Sequence, residues 1–495
     1  MRLKAVIYDI SSGGPLIVTL NENTAKELAL IPGNRVKISA KGKYIIAALD
    51  ISKNLKKDEI GILAEANKIL NLNKGQLIEI DPEETPKSLS YIKKKLEGHR
   101  LTKDEIFSIV DDIVDNLLTE VEIAFFVSGA YTNGFSLDET EDLIKAMALS
   151  GDIIHWKNKR VFDKHCIGGV PGNRTSPLIV PILAAAGLNV PKTSSRAITS
   201  PSGTADTMEM LTNVEIKSTE EIKRIVKKVG GCLIWGGALN IAPADDKIIR
   251  IEKPLSLDPT AMLLSSILAK KYAIGATDVL IDIPYGRYGK VTSPARYKEL
   301  SSKFIKLGKR LRMNVQVIKT SAEQPIGNGL GPILEARDIM WVLEGDDRAP
   351  EDLKEKAIKL SGRLLEMSKT VNKGRGNELA RKLLESGRAL RKMREIIKIQ
   401  GGNSKISSKD LKPGNYSYTF KAQRSGKVYM LLKGGLSISK LAGAPESNGA
   451  GIYLHKKLGD TVEEGESLFT IYSECQRKLD EAKHYAIDNF PIEIK

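Results

Sequence analysis

The sequence predicts a multidomain α/β protein, and three observations support this: its length, a change in hydrophobic periodicity, and alternating strand and helix patterns. At 495 residues the chain is too long for one hydrophobic core, so several domains are expected. Apolar residues alternate near the N-terminus and then recur every three or four positions, which indicates strands followed by helices. From about residue 156 the two patterns alternate, which is typical of a mainly parallel sheet covered on both faces.

Four domains follow from these patterns and from the turn residues between them. Glycine and asparagine turns, then Pro82 and Pro86, end the first domain. Thr102 has the residue type and position of a helix N-cap in the second. The predicted domains are a small β-rich N-terminal domain at 1–84, a helical bundle at 85–155 joined by part of 235–275, an α/β domain at 156–400, and a C-terminal α+β domain at 401–495.

The net charge of +15, from 76 basic and 61 acidic residues, suggests an anionic partner. Lysines alternate with glutamates in helical segments such as 354–359, and this mixture is typical of solvated helix faces. An arginine-rich stripe interleaved with aromatic residues is missing from the sequence. We therefore expect a small anionic ligand and no nucleic acid, with RNA binding kept as the alternative from another functional class.

Cysteine usage and hydropathy predict a cytoplasmic protein. The three cysteines are widely spaced and form no CxxC pair, which argues against structural zinc and a disulfide framework. The first residues have the pattern of a strand and not of a signal peptide. The longest apolar run, Leu178–Leu188, is too short for a membrane span and contains Pro181. We accordingly expect no contact with a membrane.

A loop rich in hydrogen-bond donors follows a predicted strand that ends near Asp163. Gly168–Gly169 lets backbone N–H groups approach an anion without an intervening Cβ. A helix capped by Thr175 or Ser176 follows, and its N-terminus, together with Lys164, adds positive charge. The sequence thus predicts a phosphate cradle. It is not a Walker loop, because the GK[ST] ending does not occur at the required spacing.

A second loop, over residues 191–206, repeats this chemistry. It holds seven Ser and Thr residues and Arg196, and a helix is expected from about Ala205. Either loop alone is also compatible with a structural role, because such residues are common in turns and caps. Two donor-rich loops about thirty residues apart, each between a strand and a helix, indicate a ligand site at the carboxyl ends of parallel strands.

Two further segments carry charged residues near predicted element ends. Asp258 precedes Pro259, where it has the position of a helix N-cap. Ser266 lies four residues before Lys270 on one face of the helix that follows. Lys290 follows a buried strand and a glycine-containing turn.

At these residues the sequence resembles the thymidine phosphorylase family of glycosyltransferases, or type II nucleoside phosphorylases, over roughly residues 85–495. The resemblance rests on Lys164-His165 with Gly168-Gly169-Val170, Thr175-Ser176, Ser194-Ser195-Arg196, Ser202–Asp206 and Ser266–Lys271. The β domain at 1–84 and the run 195–204 are similar to the archaeal branch that acts on AMP. The resemblance therefore implies phosphorolysis of AMP to adenine and ribose 1,5-bisphosphate. It leaves open whether CMP and UMP are also substrates.

The resemblance also implies roles for individual residues. Asp258 matches the proton donor, and His165 matches a further position beside the cradle. The positions that match phosphate-binding residues are Lys164, Ser176, Ser194 and Thr204. Those that match AMP-binding residues are Gly169, Ser195, Arg196, Ala197, Ile198, Thr199, Ser200, Thr204, Ser266 and Lys290. The family implies no metal or other cofactor, and it implies a homodimer or larger homo-oligomer paired through the helical domain.

One position departs from the pyrimidine-specific enzymes of the family. They place an arginine shortly before the catalytic aspartate to bind the pyrimidine carbonyl, whereas this chain has Ile251 there and Arg250 one position away. This favours a purine base, with thymidine or uridine phosphorolysis as the alternative. A second alternative is phosphoribosyl transfer from a diphosphate donor, which requires magnesium held by acidic pairs.

The proposed chemistry sets conditions on three side chains. Arg196 and Lys290 are the candidates to bind the 5′-phosphate of AMP. Asp258 can protonate the leaving base only if burial or a nearby anion raises its pKa. Inorganic phosphate is already anionic, so the reaction requires no activated side-chain nucleophile.

Overall fold

The computed structural model of the protein describes residues 1–157, 159–197, 200–255, 257–287, 289–430 and 432–495. These residues form two compact units. The first unit comprises Met1–Ser150 with Ala242–Ser266, and the second unit comprises Gly151–Ile241 with Ile267–Lys495. Each unit contains both helices and strands, in agreement with the predicted α/β composition. In the described ranges no helix is both long and apolar enough to span a membrane.

Residues 2–82 of the first unit form a closed six-stranded barrel. Its elements are β1 (Arg2–Ile7), β2 (Ile17–Leu20), α1 (Glu22–Glu27), β3 (Arg35–Ala40), β4 (Lys43–Ile51), β5 (Glu59–Ile62), α2 (Ala64–Leu70) and β6 (Leu77–Pro82). The strands follow the order β1-β5-β2-β4-β3-β6 around the barrel. Alternate residues point inward, as Val36 and Ile38 of β3 do. The apolar side chains of the period-two pattern therefore fill the barrel interior.

Four helices follow in the same unit. They are α3 (Ser88–Leu96), α4 (Lys103–Val114), α5 (Glu120–Asn133) and α6 (Leu137–Leu149). A capping box begins each of the last three, and that of α4 pairs Thr102 with Glu105. The predicted N-cap at Thr102 is therefore confirmed. Inside the bundle, the ammonium of Lys95 lies 2.9 Å from a carboxylate oxygen of Glu139, and both side chains are buried.

The central part of the chain alternates strands with helices. Its elements are β7 (Phe162–Cys166), α7 (Ser176–Ala185), β8 (Val190–Ser194), α8 (Thr204–Glu209), α9 (Thr219–Val229), β9 (Gly231–Trp235), α10 (Pro243–Leu255), α11 (Thr260–Ala273), β10 (Asp278–Tyr285), α12 (Pro294–Arg310), β11 (Asn314–Ser321), β12 (Gly329–Leu330), α13 (Pro332–Glu344), α14 (Glu351–Ser368), α15 (Gly376–Glu385) and α16 (Arg388–Ile399).

Parallel ladders organise this region. One sheet has the order β11-β10-β7 and the other pairs β8 with β9. An isolated parallel bridge between Val161 and Asn189 lies where the two sheets approach each other. The central strand β10 is buried over almost its entire length, which explains why most of its residues are apolar.

The final elements are β13 (Tyr416–Lys421), β14 (Gly426–Met430), α17 (Leu432–Leu441), β15 (Gly451–Leu454), β16 (Thr461–Val462), β17 (Ser467–Ser473), α18 (Gln476–Asp488) and β18 (Ile492–Ile494). They form a sheet of order β12-β15-β17-β13 and another of order β16-β14-β18. Because β12 comes from the central region and pairs with β15, residues 401–495 share one compact unit with the parallel sheets.

Candidate active site

The site in the second unit is built at the carboxyl ends of β7, β10 and β11. The sequence predicted that the first strand ends near Asp163, but β7 continues to Cys166 because Lys164, His165 and Cys166 pair with Leu280, Ile281 and Asp282 of β10. Lys164 and His165 therefore lie on a strand and not in a loop. The sheet consequently fixes the direction in which the Lys164 side chain leaves the backbone.

The ammonium of Lys164 connects this strand to the start of α7. It is buried, donates a hydrogen bond to Thr175 Oγ1 over 2.8 Å, and lies 3.7 Å from Asp282 Oδ2. Thr175 is the N-cap residue of α7, but its hydroxyl makes no capping hydrogen bond. Ser176, the first residue of the helix, is also buried. A buried cation and the Thr175 hydroxyl thus meet at a helix N-terminus, which is an arrangement suited to an anion.

The glycine pair between Lys164 and this helix allows a close approach of Lys290. Both glycines have positive φ, 90° for Gly168 and 91° for Gly169, which favours glycine strongly. A Cβ on Gly169 would lie 2.9 Å from the backbone nitrogen of Lys290 and 3.2 Å from its Cγ. The structure therefore brings Lys290 and Gly169 together, although 120 positions separate them in the sequence.

The second loop doubles back on itself after β8. Asp206 Oδ2 accepts hydrogen bonds from the backbone N–H groups of Ala197 and Gly203, each over 2.7 Å. The carbonyl of Ser195 accepts from the N–H of Ala205 over 3.2 Å. A Cβ on Gly203 would lie 2.5 Å from the Ser195 carbonyl oxygen, so only glycine permits this return of the chain.

Other predicted residues of this loop have defined places. Ser194 ends β8, and its hydroxyl donates to the Ile234 carbonyl over 2.9 Å. The Ser200 hydroxyl donates to the Ser202 carbonyl over 2.5 Å, and Thr204 begins α8. Ile198 and Thr199 lie outside the described residues.

Arg196 is surrounded by carboxylates in this structure. Its guanidinium contacts Glu209 at 2.6 and 3.0 Å, Asp206 at 3.3 Å and Glu215 at 3.4 Å. Its other side faces the ring of Trp235, 4.7 Å from the centroid. Hydrogen bonding to Glu209 raises the pKa of the guanidinium. The charge of Arg196 is therefore balanced by carboxylates of the loop and of the residues that follow it.

Two residues that the sequence analysis did not assign connect the two loops. Arg174 Nε lies 2.6 Å from Glu335 Oε2, and its guanidinium also donates to the carbonyl of Ser202 in the second loop. Glu335 accepts a further hydrogen bond from Thr207 Oγ1 over 2.9 Å. Arg174 lies within the first donor-rich segment, but nothing in the sequence marks Glu335, which comes from α13.

Burial changes the protonation of the groups that flank Lys164. It lowers the pKa of His165 far below its ordinary value, and nearby Lys271 and Lys192 lower it further. It also raises the pKa of Cys166, with the carboxylate of Asp282 adding to the shift. Near neutral pH, His165 is therefore an uncharged imidazole and Cys166 an uncharged thiol. Hence the positive charge beside the cradle comes from lysines.

Asp258 and Ser266 belong to the first unit. Asp258 is exposed and precedes Pro259 and α11. The Ser266 hydroxyl donates to Asp245 Oδ2 over 3.0 Å. Among the described residues, no group of three or more His, Cys, Asp or Glu side chains has a geometry that would hold a metal ion.

Comparison with known proteins defines the class of this chain. Residues 89–151 match "Glycosyl transferase family, helical bundle domain", residues 158–268 match "Glycosyl transferase family, a/b domain", and residues 416–493 match "Pyrimidine nucleoside phosphorylase C-terminal domain". The fold is similar to that of anthranilate phosphoribosyltransferase from Thermus thermophilus, with a TM-score of 0.53 and 19% identity over 62% of this chain and 98% of that one. Together with the arrangement at the strand ends that suits an anion, the family matches define a pentosyl-transferring enzyme.

Sequence relatives identify the family within this class. The chain is 48% identical to AMP phosphorylase of Pyrococcus furiosus, over 100% of this chain and 98% of that protein. It is 44% identical to AMP phosphorylase of Methanocaldococcus jannaschii, over 100% and 97% of the two chains. The chain belongs to the AMP phosphorylase family.

Proposed function

We propose that this protein catalyses the phosphorolysis of AMP to adenine and ribose 1,5-bisphosphate. The observation that carries the proposal is the convergence of the Lys164 ammonium, the Thr175 hydroxyl and the start of α7, because these groups together suit inorganic phosphate. Family membership supports AMP as the second substrate. Lys164, Ser176, Ser194 and Thr204 bind the phosphate in this proposal.

The reaction begins when a phosphate oxygen attacks the anomeric carbon of the ribose. A new C–O bond forms while the N-glycosidic bond breaks, and the electron pair of that bond moves to the base. Asp258 supplies the proton that converts the departing base to neutral adenine, an effect typically worth roughly 10²–10⁴-fold in rate. Holding phosphate in line with the anomeric carbon provides a further large part of the rate enhancement.

AMP binds through the second loop and through Lys290 in this proposal. Gly169, Ser195–Ser200 and Thr204 surround the nucleotide, Lys290 binds its 5′-phosphate, and Ser266 makes a further contact. The packing of Lys290 against Gly169 supports this assignment, because it brings a cation to the edge of the cradle. CMP and UMP are further candidate substrates.

Thymidine or uridine phosphorolysis is the second candidate, favoured by the match of residues 416–493 to a pyrimidine nucleoside phosphorylase domain. The two candidates differ in their need for a 5′-phosphate. Incubating the protein with AMP, thymidine and uridine, with and without inorganic phosphate, and measuring the released base by chromatography separates them. The proposal requires adenine release that depends on phosphate, and release of thymine or uracil alone refutes it.

We also propose a cytoplasmic homodimer or larger homo-oligomer. Each of the three cysteines is free, as expected in a reducing compartment. Phenylalanine and valine side chains on α5, Phe125 and Val121, are exposed and offer apolar surface for pairing. Light scattering at several protein concentrations tests the assembly, and a monomer mass throughout refutes it.

A further inference from the structure

Six charged side chains are buried together behind the phosphate cradle, and we call them the lysine–aspartate cluster. All belong to the second unit, and none is more than 8% exposed. The cluster consists of Lys164, Lys192, Lys271, Lys356, Asp163 and Asp282. Only Lys164 was expected from the sequence to bind phosphate, so the role of the other five members is unassigned.

Asp163 is the centre of one half of the cluster. The ammonium of Lys271 donates to its Oδ2 over 2.5 Å, and the ammonium of Lys192 lies 3.2 Å from its Oδ1. The backbone N–H of Lys164 also donates to Oδ1, over 2.7 Å. Burial alone would raise the pKa of Asp163, but Lys192 and Lys271 lower it below its ordinary value. Asp163 is therefore ionised at neutral pH.

Asp282 is the centre of the other half. Its Oδ2 lies 3.2 Å from the ammonium of Lys356 and 3.7 Å from that of Lys164. Its Oδ1 accepts a hydrogen bond from Thr320 Oγ1 over 2.5 Å. Burial opposes ionisation here too, but Lys164 and Lys356 lower the pKa of the carboxyl below its ordinary value.

The cluster contains more positive than negative charge. Four lysines face two aspartates, which leaves a surplus of two positive charges when all six are ionised. The adjacent His165 and Cys166 are uncharged near neutral pH and do not reduce this surplus. Burial lowers the pKa of Lys192 to about 7 despite the attraction of Asp163, and the nearby Lys271 adds to the shift.

A buried surplus of charge is destabilising unless a counter-ion compensates it. With all six groups ionised, the surplus equals in size the charge of a phosphate dianion. The cluster also reaches the cradle directly, because the ammonium of Lys164 belongs to both. A phosphate bound at the start of α7 would therefore neutralise the cluster without touching its deeper members.

We propose that Lys192, Lys271 and Lys356 are positioning residues whose buried charge attracts inorganic phosphate into the cradle. Asp163 and Asp282 hold these lysines in place and favour their charged forms. The inference rests on the proposed function only in taking phosphate as the ligand. It assigns phosphate affinity to residues that do not contact the phosphate.

The test compares Lys356→Met with Lys359→Met on the same helix, because Lys356 is buried in the cluster whereas Lys359 is exposed. Titration calorimetry measures the binding of inorganic phosphate and, separately, of AMP to the full-length protein. Lys356→Met should weaken phosphate binding by roughly tenfold or more, as expected for a lost unit charge at an effective dielectric constant of about 20. AMP binding should weaken less than phosphate binding, and Lys359→Met should affect neither ligand.

Three results would overturn the inference. They are unchanged phosphate binding by Lys356→Met, an equal loss of phosphate and AMP binding, and an equal effect of Lys359→Met. If Lys356→Met does not fold, Lys192→Met takes its place with the same expected results. Failure of the proposed function is recognised separately, because the native protein would then bind phosphate but release no adenine from AMP.

Discussion

Removing the guanidinium of Arg174 should separate the two loops of the site and destabilise the second unit. Glu335 is 1% exposed, so water does not replace the guanidinium at 2.6 Å from its Oε2. Arg174→Met keeps most of the side-chain volume and leaves the carboxylate with the Thr207 hydroxyl as a neutral donor. Breaking a buried ion pair by removing one partner costs about 3–5 kcal/mol. We therefore expect the free energy of unfolding to fall by an amount in that range at pH 8.

The size of this loss should depend on pH. Burial raises the pKa of Glu335, although Arg174 opposes the shift. A carboxyl whose pKa is higher in the folded than in the unfolded protein destabilises the fold as pH rises above its unfolded value, about 4.3. Without Arg174 the pKa of Glu335 rises further, and the carboxyl is protonated at acidic pH. The loss caused by Arg174→Met should therefore be smaller at pH 5 than at pH 8.

Urea unfolding followed by tryptophan fluorescence at both pH values measures the effect. Adding Glu335→Gln to Arg174→Met should recover part of the lost stability, because it removes the unpaired buried charge. Arg375→Met is the matched control, since its ion pair with Glu378 is exposed and should contribute little. A loss below about 1 kcal/mol at pH 8, or an equal loss at both pH values, would refute the reasoning.

Three further predictions concern the site. Lys290→Met should lower kcat/KM for AMP far more than for unphosphorylated adenosine, because only AMP offers a 5′-phosphate; equal losses in steady-state assays would contradict this. Gly169→Ala places a Cβ 2.9 Å from the backbone nitrogen of Lys290, at a position whose φ is 91°. The KM for AMP should therefore rise in the same assays. An unchanged KM argues against the close approach of Lys290 to Gly169. Sulfate keeps its charge across neutral pH, so the inhibition constant of sulfate should rise as Lys192 loses its proton near pH 7. Lys192→Met should flatten this dependence on pH. An unaltered dependence in the variant would exclude Lys192 as its cause.

The strands and the two donor-rich loops could be predicted because their signals are local. Strand β10 contains the largely apolar run Val279–Ile283, and the start of α7 is marked by Thr175, Ser176 and a proline. Glycine and hydroxyl residues after predicted strands indicated an anion site, because loops that follow parallel strands lie at the same edge of the sheet. The end of β7 was missed because its last residues are polar, and only pairing with β10 keeps them in the strand.

The charge partners could not be predicted, because they are distant in the sequence. By residue type Arg196 is a candidate phosphate-binding residue, yet its carboxylate partners Glu209 and Glu215 lie 13 and 19 positions further along the chain. In the sequence, the neighbours of Lys356 are those of an ordinary helix-surface lysine. Only the packing of α14 buries its side chain beside Asp282. Buried and exposed lysines look alike until the tertiary structure is known.

The most direct test of the account is to incubate the purified protein with AMP and to measure free adenine as inorganic phosphate is varied. The account predicts no release without phosphate, a saturating increase as phosphate is added, and ribose 1,5-bisphosphate formed in equal amount. Adenine release at the same rate in phosphate-free buffer, or ribose 5-phosphate as the product, would contradict it, because water and not phosphate would then displace the base.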